Sequence, residues 1–397
     1  MMRILIVSER YWPEVGAAPS RLANMAEGLH ARGCEVDVLT SLPNYPKGRI
    51  FDGYRGRLCR REVHNGINLF RYWIFATVSR SAVKRALNMF SFAFMLWLFA
   101  FRVKRVRSYD AVIIQTPSLV VAVSAMWLFK GLYRRKCALN VSDIWPSTAV
   151  DMGVMREGSA SYRFMHWCEK YLYRKSDAVL GQSNEILEHV ARSKNSGKLF
   201  LYRNLQKYDI GTSGKLPHSP LKVVFCGMLG VAQDVFGIVR NVPFAEQGVE
   251  FHIIGGGKQA EEIEKWCAEH PSGMVFPHGF VSKEQIPSML REMDVSIVPL
   301  AQRIRGAVPS KIYDLLPQGL PILFCGEGEA ADFITSRGVG YCSAPGDYNG
   351  LISNISQVKS LSPEEFKSMS ARCIQTSREE LDFDKQMGEC CEFLKAL

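Results

Sequence analysis

Short apolar runs alternate with helical stretches along almost the whole of this 397-residue chain, and they do so in two successive sets. Strands separated by helix-length connections pair in parallel, because the crossover returns the chain to the edge of the sheet it left. The first set comprises Arg3 to Ser8, Glu35 to Thr40, Leu69 to Ile74, Ala111 to Gln115, Ala138 to Val141 and Ala178 to Gly181, with a helix from about Ser20 to Arg32 stopped by Gly33. The second comprises Lys222 to Cys226, Glu250 to Ile254, Met274 to Pro277, Val295 to Val298 and Leu320 to Phe324. The polar stretch Gln206 to Pro220, with Gly and Pro, separates them as a linker. The predicted fold is α/β: two Rossmann-like parallel-sheet domains facing across a cleft, one over residues 1–205 and one over 221–374.

Charge divides the same way. Residues 1–205 carry 31 Lys and Arg against 15 Asp and Glu, a net +16, whereas the remainder carries 18 against 24, a net −6. A basic half joined to an acidic half points to an anionic partner for the first domain, phospholipid or nucleic acid. Two apolar segments lie in that basic half. Ala86 to Phe101 runs into Arg102-Val103-Lys104-Arg105, and Leu119 to Phe129 runs into Lys130. Both are shorter than the roughly 20 residues that span a bilayer; an interfacial contact is expected of the first, with core packing as its alternative, and core packing is favoured for the second. Phe94, Trp97 and Phe101 would enter the interface, and Arg102, Lys104 and Arg105 would meet anionic head groups. The basic residues adjoin apolar runs and no recognition helix or stacking platform is visible, which disfavours nucleic acid. The eleven cysteines show no zinc or disulfide spacing, and Arg3 enters a strand at once with no signal peptide, so a reducing cytosol is expected.

Val308-Pro-Ser-Lys-Ile-Tyr-Asp-Leu-Leu-Pro-Gln-Gly-Leu-Pro-Ile-Leu323 is the most specific stretch for function. Pro309 and Ser310 open a short helix, Gly319 stops it, and a buried strand follows. Free amides at the helix start and the Lys311 ammonium would suit a diphosphate, while Asp314, one turn on, could accept two ribose hydroxyls. An ordinary capped helix is the alternative. Gly16-Ala17-Ala18 after the first strand would let backbone amides approach a phosphate or sugar. The absence of G-x-G-x-x-G there argues against a dinucleotide-dependent oxidoreductase. Asp143 follows the strand ending at Val141 and could orient an acceptor hydroxyl, or merely cap a turn. Gly227 ends the first strand of the second domain. The loops holding Gly255 and Gly256, and His278, Gly279 and Phe280, could hold a nucleobase.

Taken in order, Y-W-P-E-V-G-A-A-P-S-R, L-P-N-Y-P-K-G, Asp143-Ile-Trp-Pro146, F-C-G-M-L-G, I-I-G-G-G, H-G-F-V and V-P-S-K-I-Y-D-L-L-P-Q-G-L-P-I-L resemble the retaining glycosyltransferases of family 4, with the GT-B fold. The likeness is greatest to the colanic-acid and O-antigen transferases of the fucosamine-transferase type. The resemblance implies a transferase, working without cofactor or metal, that moves a sugar from a nucleotide diphosphate, UDP by preference, to a polyprenyl-diphosphate-linked glycan. A peripheral place on the cytoplasmic face of a bacterial inner membrane follows. Gly16 would lie against the donor, Asp143 would orient the acceptor, and Ser310, Lys311 and Asp314 would hold diphosphate and ribose. Glu327 and Glu329 would lie near donor sugar and phosphate, and residues 375–397 would cross back to the first domain. A nucleotide-sugar 2-epimerase and a non-catalytic scaffold of the same fold are the alternatives. Three departures stand out: Gly306 occupies the place of a usual acid, Met228 and Gln233 stand near a usual Arg and Lys, and Arg203-Asn204-Leu205 replaces a usual Pro-Asn-Gly.

Overall fold

A computed structural model describes residues 1–79, 81–193, 197–282 and 284–397, with only the backbone of Ala82 and Lys104. The chain forms two compact units, Met1–Gln206 together with Phe383–Leu397, and Lys207–Asp382.

The first unit runs β1 (Arg3–Val7), α1 (Ala17–His30), β2 (Glu35–Ser41), β3 (Cys59–His64), β4 (Ile67–Tyr72), α2 (Ala82–Arg102), β5 (Ala111–Thr116), α3 (Leu119–Ala125), β6 (Lys136–Val141), α4 (Ser147–Asp151), α5 (Ala160–Lys175), β7 (Ala178–Gly181), α6 (Asn184–Ser193) and β8 (Lys198–Leu201). Its eight strands lie in the order β3-β4-β2-β1-β5-β6-β7-β8, and all neighbours are parallel except β3 with β4. Alternate residues of β1 serve opposite faces, as the pleat requires. Ile4 and Ile6 pack in the cluster that holds Leu22 and Met25 of α1, whereas Leu5 and Val7 pack in the one that holds Phe92, Leu96 and Leu128.

The second unit runs β9 (Leu221–Cys226), α7 (Val235–Asn241), β10 (Val249–Ile254), α8 (Ala260–Glu269), β11 (Val275–Gly279), α9 (Ile286–Arg291), β12 (Val295–Pro299), α10 (Lys311–Leu315), β13 (Ile322–Cys325), α11 (Glu329–Ser336), β14 (Gly340–Ser343), α12 (Tyr348–Ser360) and α13 (Pro363–Glu380). Its all-parallel order, β11-β10-β9-β12-β13-β14, is that of a doubly wound sheet whose strand order reverses between β9 and β12. Ligands of such sheets bind outside the carboxyl ends at that reversal.

Several expectations need correction. The helix after β1 starts at Ala17, because Pro19 is tolerated in a first turn. Residues 207–220 are no free spacer: the Gly211 N–H donates to Pro317 O at 2.8 Å, and Lys215 Nζ donates to Leu290 O at 3.3 Å. The chain returns to the first unit at Phe383, not near Gln375, in α14 (Phe383–Lys395). Gly28 lets Met387 sit directly on α1, and Gln386 exchanges two hydrogen bonds with the backbone of Arg203, at 2.9 and 3.0 Å. Leu119 to Phe129 is core, as favoured from the sequence: α3 is buried at every position and Met126, Leu128 and Phe129 are buried beyond it, with Trp127 half exposed. By length and composition α2 could cross a bilayer, contrary to the shorter run read from sequence, but Phe92, Leu96 and Phe99 are fully buried against the sheet.

Candidate functional site

In the second unit, β9 ends at Cys226 and the chain turns through Gly227 at φ 146°, a backbone that strongly favours glycine. A Cβ at Gly227 would collide with Lys311 Nζ, so the glycine makes the berth for the lysine. There the ammonium lies 4.1 Å from the centroid of the Phe225 ring, within cation–π range. Among the described residues it has no hydrogen-bond or ion-pair partner. Burial pulls its pKa from the ordinary 10.5 down to about 8, against the opposing pull of Cys226 and Asp314. A desolvated cation at the carboxyl end of β9 is a place for an anion.

The surrounding loops are locked by glycine backbone. The Gly227 N–H donates to Ile254 O and the Gly255 N–H to Gly279 O, each at 2.8 Å, and the Leu229 N–H donates to Gly256 O at 3.0 Å. A side chain at Gly255 would strike the carbonyl of Gly227, and one at Gly256 would strike the ring of Phe280, which is 78% exposed. His278 does not join these loops. Its Nε2 lies 3.0 Å from His252 Nδ1, whose ring in turn reaches Glu250, and burial beside His252 lowers its pKa.

The helix that carries Lys311 is shorter than a capped-helix reading implies. α10 has five residues, Ser310 is itself helical with no side-chain cap, and Gly319 at φ 69° ends a following 3-10 turn. The Ile312 N–H is already spent on Pro309 O at 3.1 Å, so the ammonium, not a row of free amides, is the main positive feature. Asp314 accepts a hydrogen bond from the Tyr208 hydroxyl, a partner that sequence reasoning missed because Tyr208 lies in the supposed linker. Glu327 is exposed, 3.9 Å from Arg303, and Glu329 opens α11 behind Gly328. Gly306 is buried at φ 74°, a conformation in which an acidic residue would be strained.

In the first unit, Gly16 at φ 152° precedes α1 with nothing closer than Tyr45 Cε1 at 3.7 Å to where a Cβ would be. The buried Glu14 carboxylate accepts the Asn44 and Tyr45 N–H groups at 2.7 and 2.8 Å, fixing the loop after β2. On α1, Arg21, 3% exposed, donates to Ser142 Oγ, which also accepts from Gln115 Nε2 at 2.6 Å. Burial raises the pKa of Asp143, and Arg21 opposes the rise. A carboxylate kept more basic than usual suits a hydroxyl-orienting role. Arg21 was not singled out from sequence, since nothing local marks a helical arginine as buried.

On α2, Phe94 and Phe101 are exposed, and so is Arg102. Trp97 and Arg105 are turned inward: the Trp97 Nε1–H donates to Ser124 Oγ at 3.0 Å, and Arg105 pairs with Glu35 and with Asp37 at 3.5 Å. The Lys104 side chain lies outside the described residues. Among the described residues no three His, Cys, Asp or Glu side chains converge as metal ligands.

Known proteins agree with this arrangement. Residues 16–198 match the model of a glycosyl transferase 4-like domain, and residues 220–360 match that of glycosyl transferases group 1. An Escherichia coli K12 protein named as a colanic acid biosynthesis glycosyl transferase, WcaI, is 22% identical over 90% of this chain and 92% of its own length. The Pseudomonas aeruginosa protein named as a glycosyltransferase, WbjE, is 24% identical over 67% of this chain and 70% of its own. Among solved structures, sucrose-phosphate synthase from Thermosynechococcus elongatus superposes with a TM-score of 0.73 at 14% identity, covering all of both chains. HepE from Anabaena, in complex with UDP and glucose, gives 0.68 at 14% identity, again over all of both. At such identities the likeness establishes the fold, two parallel-sheet α/β domains of the GT-B type.

Proposed function

The chain belongs to the family-4 glycosyltransferases of the GT-B fold, and from that premise we propose that it transfers a sugar from a UDP-linked donor to a polyprenyl-diphosphate-linked glycan during assembly of a bacterial surface polysaccharide. The named relatives in colanic-acid biosynthesis and glycosyl transfer support the pathway class, and the UDP and UDP-glucose complexes of HepE support the donor. The observation that carries the donor assignment is Lys311, desolvated beneath Gly227 with no hydrogen-bond or ion-pair partner among the described residues.

In this reading the second unit holds the donor. The Lys311 ammonium takes the diphosphate, Asp314 takes ribose hydroxyls beside Tyr208, and Phe280 with the backbone at Gly255, Gly256 and Gly279 flanks the base. The first unit holds the acceptor, with Asp143 orienting its hydroxyl and the exposed face of α2 resting on the anionic cytoplasmic leaflet. The bond from the anomeric carbon to the diphosphate breaks as the bond to the acceptor oxygen forms. The acceptor proton passes to the departing phosphate, and configuration is retained. Since charge develops on that phosphate, a fixed buried cation stabilises the transition state more than the ground state, and losing it costs about 3 kcal/mol. No step needs a metal.

A thermal-shift screen of UDP-, GDP- and ADP-sugars tests the donor half, because a ligand of the native state raises the melting temperature by mass action. UDP-sugars are expected to stabilise the protein, and Lys311→Ala to abolish the shift. If no nucleotide diphosphate stabilises it at millimolar concentration, the protein is a scaffold instead.

A further inference from the structure

The first unit has a groove of about 520 Å³ separate from the residues described above, formed by the loop after β2, the segment after β4 and α2. Leu42, Ile50, Leu58, Trp73 and Met95 give it apolar walls, and Arg55 and Arg57 stand at its edge. The loop is ordered by its own backbone. The Gly48 N–H donates to Asn44 O at 2.8 Å, the Phe51 N–H to Pro43 O at 2.9 Å, and the Trp73 N–H to Leu58 O at 2.9 Å. The groove is thus preformed.

Its charge is one-sided. Arg55 is exposed and pairs at 3.2 Å with Asp52, whose side chain is 88% exposed, so solvent screens the pair. Arg57 is exposed, and Arg102 places Nη1 3.8 Å from the Sγ of Cys59, the residue after Leu58. Two guanidiniums therefore stand at the groove with only the solvated Asp52 carboxylate paired to one of them, while the Glu62 carboxylate that accepts from the Tyr54 hydroxyl at 3.2 Å is itself paired with Arg60 and Arg71. A quarter turn round α2 from Met95 lies an exposed apolar stripe of Leu87, Phe90, Phe94 and Phe101. Cations beside an apolar groove, continuous with an apolar helix face, match an amphiphile whose anionic group is joined directly to a hydrocarbon chain.

We propose that this groove holds the diphosphate and the first isoprene units of the lipid-linked acceptor. The guanidiniums at positions 55 and 57 take the diphosphate oxygens, for which planar bidentate donors are well matched. The hydrocarbon enters between Trp73 and Met95 and leaves along the α2 stripe. The inference rests on the acceptor reading above and gives that acceptor a place.

The test is calorimetry on the full-length protein with farnesyl diphosphate as probe, against farnesol and inorganic pyrophosphate. Farnesyl diphosphate is expected to bind at least about tenfold more tightly than either control, and Arg55→Gln with Arg57→Gln to weaken it by about tenfold or more while UDP affinity holds. Trp73→Ser is expected to weaken it without changing pyrophosphate binding. The proposal fails if pyrophosphate binds as well as farnesyl diphosphate, if the double variant binds it unchanged, or if phosphatidylglycerol vesicles displace it as readily as excess farnesyl diphosphate does. Loss of UDP binding with farnesyl diphosphate binding intact would remove the donor assignment and leave this site standing.

Discussion

Arg21 in the first unit and Lys311 in the second are both cations withdrawn from water near the carboxyl edge of a sheet, and the protein treats them in opposite ways. Arg21 donates to Ser142 and lies in the field of Asp143, so its charge is partly answered from within the fold, although burial still lowers its pKa and its Nε has no hydrogen-bond partner among the described residues. Lys311 has an aromatic face and a glycine berth but no carboxylate in hydrogen-bonding contact, and burial draws its pKa down to about 8 against the pull of Cys226 and Asp314. A buried cation with internal partners organises a site, whereas one without them waits for an anion. The proposed division, acceptor chemistry in the first unit and donor chemistry in the second, rests on that difference.

The sharpest way to break that contrast is to remove each charge in turn. Lys311→Ala is expected to lower kcat by about 10²–10³-fold, the usual effect of deleting one preorganised stabiliser of developing charge, without lowering the melting temperature of the free protein. Steady-state kinetics and a thermal melt check both parts. Asp143→Asn should lower kcat on the order of 10²-fold while the affinity for UDP, measured by calorimetry, stays the same. Arg21→Met tests the link between them: with the opposing charge gone, Asp143 rises further and the acid limb of the rate profile moves to higher pH.

Much of this contrast was legible in the sequence and its decisive part was not. The strand runs marked the buried centres of both sheets because parallel strands covered on two faces are apolar throughout. The three strands not foreseen, β3, β8 and β14, are short or polar; β3 is an edge strand that alternates in exposure, and β8 also lies at an edge. Lys311, Asp314, Gly16 and Asp143 could be singled out from local signals. The berth at Gly227, the Phe225 face beneath the ammonium, the Tyr208 bond to Asp314 and the Arg21 contact with Ser142 join residues 84 to 121 positions apart, and no local pattern encodes them. Trp97 and Arg105 misled for the same reason. An aromatic or a basic residue beside an apolar run looks interfacial until its partners, Ser124, Glu35 and Asp37, are known.

Smaller effects sharpen the comparison. UDP favours the charged form of Lys311, so its affinity should fall as pH rises through about 8, by up to about tenfold per unit, in calorimetry across that range. Stability without ligand should move the other way. Between about pH 8 and the ordinary lysine range the unfolded chain keeps a proton that the folded protein has shed, so stability rises with pH there. Phe280→Ala should weaken UDP by about fivefold if its exposed ring stacks on the base, and uracil-free pyrophosphate should bind the variant and the parent alike.

The contrast between the two cations can be read directly from the ionisation of Lys311. With lysines labelled at Cε and Nζ, NMR titration of the free protein should show one lysine near pH 8, absent in Lys311→Arg, and saturating UDP should move it upward toward the ordinary lysine range. A Lys311 that titrates as an ordinary surface lysine, or that UDP leaves unmoved, would contradict the donor site proposed for the second unit.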